Sequence, residues 1–324
     1  FDWPAKIKLE GKIFNGRYHG FAVGCYLEGT GSGKEWARLV LEDNGTVSVA
    51  VGSSSIGQGV ETVFAQIVGD ALDLPIARIG PVGHGSTNLL TDGGGSFSSR
   101  STVMAGSALY EAAETLKTKI CEAAANRLDC QPTEINLVDG TAVGPGSRVI
   151  EFGSLANRIS PVENTYTNPK RTYSYGAHAV HVAVDAGTGS VGILDYVAVE
   201  DVGRIINPKT LHGQCTGAIV QGLGGALLEH LVYDEAGQLL SGTLADYLLP
   251  TASDFPEIRA VALEERPSPH NPLGAKGAGE GGIIPTGGLI ANAVANALSS
   301  FGVEPNALPL SPPEVWAMIK EAEG

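Results

Sequence analysis

Paired cysteines are missing from this chain. Its four, Cys25, Cys121, Cys130 and Cys215, are scattered through 324 residues with no C-x-x-C spacing, a pattern that supports neither a zinc ribbon nor an iron–sulfur cluster. Buried free thiols in a reducing, cytoplasmic compartment are the expectation. Positive charge is scarce too: 21 Lys and Arg against 35 Asp and Glu leave a net charge of −14, which argues against a nucleic-acid or anionic-membrane surface. No apolar run approaches the roughly 20 residues a membrane span needs. No signal-peptide pattern is visible, and because the sequence opens at Phe1 its true start is expected to have been removed. His178 and His181 form H-x-x-H, but in an apolar run that reads as a strand, where residues three apart point to opposite faces; they are not read as a metal site. With 43% hydrophobic and 17% charged residues, what remains is a core-rich globular protein of one large domain or two of ordinary size.

What the chain does have is glycine in unusual places. Gly274-Ala-Lys-Gly-Ala-Gly-Glu280-Gly-Gly282 sets one carboxylate among five glycines, directly after the proline-rich run 266–272. Glycine permits unusual φ/ψ and close approach to the backbone, so Glu280 can lie directly against a ligand. Taken alone, the segment reads equally well as a mobile surface loop with a solvated acid. Three further segments are rich in small or polar residues: 52–59, 91–102 and 221–225. The first two run straight into helical patterns, and helix N-termini are natural anion sites. Together they suggest a large, polar, phosphate-bearing cofactor wrapped by loops.

Two similar halves are legible. Residues 36–51 read as strand, Asp43-Asn44-Gly45 turn, strand. Val60, Val63, Phe64, Ile67, Val68, Ala71 and Leu72 then follow helical spacing until Pro75. A second helix is predicted over 102–126, and 132–168 is a punctuated boundary region of short elements. The order then repeats, with strands near 177–184 and 192–199 and a helix opened by Asn207-Pro208 and running to about Leu231. The expected fold is α+β: two similar lobes of β-hairpins packed on long helices, residues 1–165 and 166–324, with a cleft between them. In the second-half helix, Gln214, Gly217, Gln221 and Gly224 share a stripe. It fits either a close polar ligand or tight helix–helix packing.

Gly277-Ala-Gly279-Glu-Gly-Gly282 matches G-x-G-x-x-G. The segment before it is proline-rich, not a strand, and the next apolar helix is expected only after Pro285, near 288–298. A dinucleotide fingerprint needs a strand before it and a helix opening on it, so an NAD-binding domain is disfavoured.

Taken in order, the segments resemble the molybdenum-binding large subunit of the xanthine oxidase family of molybdenum hydroxylases. The nearest branch is that of the carbon monoxide dehydrogenase-like and bacterial heterocycle-hydroxylase enzymes. The residues that carry the resemblance are Ile56 to Gly59 with Thr62, Ser98 to Thr102 with Gly106, Val199 to Gly203 with Ile206 to Pro208, Gly213-Gln214, Val220 to Gly222, and Gly274 to Gly277 with Glu280. They span about Gly20 to Leu298. The resemblance implies that Glu280 is the active-site base and Gln58 the glutamine beside the metal's oxo group. Ser98, Ser99, Arg100, Ser101 and Thr102 would hold the pterin, with Gly57, Gly59, Thr62, Gln214, Gln221, Lys276, Gly277 and Gly279 also at the cofactor. Glu28, Gly29 and Thr30 would border the substrate pocket.

The family's large subunit has a further half ahead of this one, and the chain resembles the carboxy-terminal half alone, as a natural split subunit or a fragment. The implied cofactor is molybdenum–molybdopterin cytosine dinucleotide, the metal being held by the pterin dithiolene and by no protein ligand. The implied reaction hydroxylates an electron-poor carbon of an N-heteroaromatic ring or aldehyde, a small-molecule substrate, with oxygen from water. Electrons would pass to 2Fe-2S and FAD centres on partner subunits, in a hetero-oligomer that includes the complementary amino-terminal half, and the resemblance allows a dimer of heteromers. Lys276 or backbone N–H groups would offset the cost of keeping Glu280 ionised. A non-catalytic structural half, or an NAD-dependent enzyme, are the competing readings.

Overall fold

The chain opens on one helical turn, α1 (Trp3–Lys6), a short strand, β1 (Ile13–Phe14), and two long strands, β2 (Arg17–Thr30) and β3 (Gly33–Leu41). The computed structural model describes residues 1–88 and 93–324, so Thr91 and Asp92 of the small-residue segment 91–102 lie outside the described residues. β3 turns into β4 (Val47–Val51) where the hairpin signal predicts. There the Asn44 side chain accepts the Thr46 N–H at 3.0 Å and Gly45 takes φ +78°. Then come α2 (Val60–Leu72), β5 (Ile79–Gly83) and the 28-residue α3 (Ser101–Leu128). The boundary region holds β6 (Asn136–Val138), β7 (Thr141–Gly144), β8 (Arg148–Glu151) and β9 (Val162–Asn168). The remainder is β10 (Thr172–Val184), β11 (Val191–Asp201), α4 (Pro208–Leu227), β12 (Ile258–Leu263), α5 (Ile283–Ala297) and α6 (Pro312–Glu323).

Two helix-on-sheet layers result. One sheet runs β5-β4-β3-β9, with α2 and α3 packed on it; the other runs β1-β2-β10-β11-β12, with α4 and α5 on one face. β6, β7 and β8 form a small third sheet. All seven apolar residues read from the α2 periodicity are buried in the first core, each worth roughly 1.5–3 kcal/mol when fully withdrawn from water. Gly20 lets α5 press onto β2, because a methyl there would meet the backbone of Ala293 and Ala297.

This is the α+β architecture expected, but the sheets do not divide between 165 and 166. β2 pairs with β10 from Tyr18↔Val184 to Thr30↔Thr172, so residues 17–30 complete the sheet of the second half, while β9 reaches back to β3. Local patterning carries no signal for such a long-range exchange.

Four smaller expectations change. α4 stops at Leu227, not Leu231, because the N–H groups of Leu228 and Glu229 both fall on the Gly224 carbonyl. α5 begins at Ile283 and takes Pro285 into its first turn, where no backbone N–H is needed. Of the free thiols only Cys215 is buried, and Cys25 stands on the outer face of β2. The α4 stripe is split: Gly217 faces open space, whereas Gly224 sits against Pro250. The histidines do point to opposite faces: His178 meets Tyr196 and Glu200 at 2.9 and 3.0 Å, and His181 stacks on Phe21. Among the described residues no helix is long and apolar enough to cross a membrane.

Candidate active site

A cavity of about 320 Å³ opens where the N-termini of three helices meet. α2 brings Gln58 and Val60 to its wall, α3 brings Arg100, Ser101 and Thr102, and α4 brings Asn207, Thr210 and Gln214. The loop from Ala275 to Glu280 closes another side. Asn207 caps α4, accepting the N–H groups of Lys209 and Thr210 at 3.0 Å, as Asn-Pro predicts. No side chain caps α2 or α3. Their first-turn N–H groups and positive dipole ends therefore remain available to an anion in the cavity. Gly59, at φ +79°, heads α2 and allows it to lie against α4, since a Cβ would come 2.8 Å from the Thr210 methyl.

The acid of the glycine loop meets the serines of the α3 loop. Ser98 and Ser99 both adopt left-handed backbone, φ +51° and +47°, a conformation that costs energy in a non-glycine residue and persists only when its surroundings hold it. What holds it is visible. The Ser98 carbonyl accepts the Gly31 N–H at 3.2 Å, and Gly277 lies so close that a methyl would strike the Ser99 carbonyl and Thr30. The Ser99 hydroxyl thereby stands 2.9 Å from Glu280 Oε2 and accepts the Glu280 N–H at 3.0 Å. The same hydroxyl is 3.0 Å from Oε1 of Glu28, a buried carboxyl that also accepts Ser174 Oγ–H at 3.3 Å. Burial pushes the Glu28 carboxyl up to about 7; the Ser99 hydrogen bond opposes this and the Glu280 charge adds to it. Glu280 itself is exposed at the cavity wall.

A family model for a molybdopterin cofactor-binding domain matches residues 1–256. The chain belongs to that family. Its resemblance to the molybdopterin-binding large subunit of the xanthine oxidase family stands with it. The chain is 37% identical to the 6-hydroxypseudooxynicotine dehydrogenase complex subunit gamma of Paenarthrobacter nicotinovorans over 94% of its own length. It is 31% identical to the nicotine 6-hydroxylase large subunit of the same organism, over 98% of its length. Quinoline 2-oxidoreductase from Pseudomonas putida 86 superposes with a TM-score of 0.85 at 32% identity, covering 94% of this chain and 42% of that one. The chain spans only 40% and 42% of the two Paenarthrobacter proteins.

For a molybdopterin-binding chain, several residues named from sequence have internal partners. Arg100 turns its guanidinium inward, to Glu35 at 2.6 Å and the Lys34 carbonyl at 2.7 Å, and Glu35 also accepts Ser53 Oγ–H at 2.9 Å. Lys276, expected beside Glu280, donates instead to Asp201 at 2.7 Å and lies over the Tyr175 ring. Its charge is matched there, and the backbone N–H of Glu280 goes to the Ser99 hydroxyl, not to the carboxylate. Gln58 lines the cavity with its side chain held between its own loop and the one before α3, accepting the Ile56 N–H at 2.7 Å and donating to Ser96 at 3.2 Å. Gly57, at φ +99°, shapes that loop. Gly277 and Gly279 lie on the wall, and Gly279 leaves space before Ser99 and Gln214.

Other residues stand off the wall. Thr62 and Gln221 are exposed on their helices away from the cavity, Gln221 two turns beyond Gln214. Ser98 contributes its carbonyl to Gly31, not a side chain to the cavity. Glu28, Gly29 and Thr30 lie behind the wall: Glu28 reaches Ser99, Gly29 packs on Arg171, and Thr30 Oγ1 accepts the Gly277 N–H at 3.0 Å. Sequence reasoning passed over Arg204, an exposed cation on the cavity wall one residue beyond the Val199–Gly203 segment. Its place next to that segment was the signal that could have found it.

Proposed function

We propose that this chain forms the base-carrying part of the molybdopterin-binding subunit of a molybdenum hydroxylase. Its substrate would be a small molecule with an electron-poor carbon, an N-heteroaromatic ring or an aldehyde. The observation that carries this reading is the placement of the Glu280 carboxylate on a cavity walled by two uncapped helix N-termini. Those N–H groups and Arg204 suit the phosphates of a molybdopterin, and a cytosine dinucleotide form would use more of them. When bound, the group would supply the oxygen delivered to the substrate and take up two electrons. Glu280 would accept the proton that the reaction releases at the cavity wall. Gln214 presents its amide to the cavity, Gln58 braces the wall through Ile56 and Ser96, and the loop 275–280 positions Glu280 through Thr30 and Ser99.

Turnover in ¹⁸O-labelled water is expected to place the label in the hydroxylated product; label arriving only from ¹⁸O₂ contradicts the reading. Arg204→Ala is expected to lower cofactor content after gel filtration about threefold or more, consistent with the loss of a charge-assisted phosphate contact. Cofactor content equal to the parent protein's would remove Arg204 from the site.

The unpartnered sheet face supports a complementary polypeptide. Val23 and Leu27 of β2, Tyr173 and Tyr175 of β10, Val199 of β11 and Val261 of β12 are exposed on one face of the sheet, with Leu27 opposite Tyr175 and Val199 opposite Val261. An apolar surface of this extent marks an interaction site. The chain's coverage of its relatives points to one occupant, the remainder of the molybdenum subunit; iron–sulfur and flavin subunits would complete the assembly. Val23→Asp with Val261→Asp is expected to abolish co-purification with that remainder while the far-ultraviolet dichroism stays unchanged. Intact co-purification would contradict it. A structural half without a catalytic role is disfavoured by Glu280 itself, and an NAD enzyme by the lack of a strand ahead of Gly277, even though α5 opens directly after Gly282.

A further inference from the structure

We propose that Glu28 is a positioning residue that holds one proton in common with Glu280 across the Ser99 hydroxyl, keeping Glu280 ionised and ready to accept a proton. The inference rests on the reading of Glu280 as the base.

The argument is a count of donors. Ser99 Oγ lies 3.0 Å from Glu28 Oε1 and 2.9 Å from Glu280 Oε2, and it accepts the Glu280 N–H at 3.0 Å. A serine hydroxyl has one proton and two lone pairs. One lone pair takes the Glu280 N–H, and the single proton can satisfy only one of the two carboxyl oxygens. The other oxygen then faces the second lone pair, and that contact is favourable only if its carboxyl brings a proton of its own. The geometry is satisfied when the pair carries one proton, as in other closely spaced carboxylates.

Burial decides where that proton resides. Glu28 is 8% exposed and has only Ser174 as a further donor, whereas Glu280 is exposed. A charge is more costly on the buried partner, so the proton sits on Glu28. Its carboxyl O–H donates to Ser99, Ser99 donates to Glu280, and Glu280 stands as the carboxylate. The upward displacement of Glu28 to about 7 has the same direction and the same leading cause. The groups facing Glu28 are Ser99 at the head of α3, Ser174 on β10 and Glu280. Tyr26 shares its face of β2, Arg171 lies against Gly29, and the nearby Lys276 is engaged by Asp201. Lys276 is held by Asp201, and Arg171 reaches the Gly29 carbonyl at 3.5 Å, not the Glu28 carboxyl. During turnover only O–H bonds change: Glu280 gains a proton, the pair goes from one proton to two, and the exposed Glu280 returns one to water.

The test is isotope-edited infrared titration of the isolated holoprotein carrying ¹³C-carboxyl glutamate. A protonated-carboxyl band is expected that disappears with a midpoint near pH 7, is absent in Glu28→Gln, and in Glu280→Gln titrates about one pH unit lower or more, because the Glu280 charge no longer opposes ionisation. A parent protein without such a band, a band that survives in Glu28→Gln, or a midpoint unmoved in Glu280→Gln would each overturn the shared proton. The exposed Glu280→Gln variant keeps the test available should Glu28→Gln fail to fold. Full turnover by Glu280→Gln would instead sink the base assignment and leave the infrared result standing, so the two failures are distinguishable.

Discussion

Glu280→Gln is expected to lower kcat about 10²–10⁴-fold, the usual contribution of a positioned general base, while molybdenum and pterin content stay at parent levels. The asymmetry follows from where the side chain sits. Glu280 is exposed on the cavity wall, and its carboxylate touches Ser99 through one oxygen only, Oε2. Glutamine preserves the shape and the Ser99 contact but cannot take up a proton at neutral pH. The loop also depends little on the carboxylate, because the Glu280 N–H donates to Ser99 and the Gly277 N–H to Thr30, both backbone contacts. Steady-state kinetics with metal analysis on the same preparation checks this. Near-normal kcat, or a loss of kcat that merely tracks lost metal, would remove Glu280 from the role of base.

Arg100→Ala carries the largest expected effect on stability, a loss of about 3–5 kcal/mol. Arg100 and Glu35 are both almost fully buried, 2.6 Å apart. The guanidinium also ties the Gly95 carbonyl at 3.2 Å and the Lys34 carbonyl at 2.7 Å. Removing it strands a carboxylate whose remaining donors are the Ser53 hydroxyl and the Trp36 N–H. Charge without a partner in that position is far more costly than the pair is stabilising. Arg100→Met combined with Glu35→Leu should recover most of the loss, because neither charge is then buried. Urea denaturation of the three variants measures it; a loss below about 1 kcal/mol in Arg100→Ala would show that the pair does not hold the head of α3.

Sequence alone located the parts better than it located their partners. The α2 boundaries, the Asn207 cap and the Asn44 turn were readable because each depends on residues within a few positions of one another. The glycine and serine segments were readable as loops for the same reason, and Ser99 and Glu280 do meet at the cavity. Arg100 appeared as a cofactor residue because its acid, Glu35, lies 65 positions away on β3, and no local pattern connects the two. Lys276 was expected to offset the Glu280 charge, whereas the bridge of Ala275 to Gly203 and the Lys276 N–H on the Val202 carbonyl set it beside Asp201. Glu28 was assigned to a substrate pocket, yet the pairing of β2 with β10 brings it beneath Ser99. That pairing also moves residues 17–30 into the second sheet. Contacts of this kind are set by tertiary packing, which periodicity and capping signals do not encode.

The account as a whole requires that the three helix heads and the Glu280 loop surround one metal-bearing pterin. Anomalous diffraction at the molybdenum edge from crystals of the assembled protein measures this directly. The prediction is a single molybdenum peak inside the cavity that Glu280 lines. A peak elsewhere in the assembly, with Glu280 turned to bulk water, would contradict it.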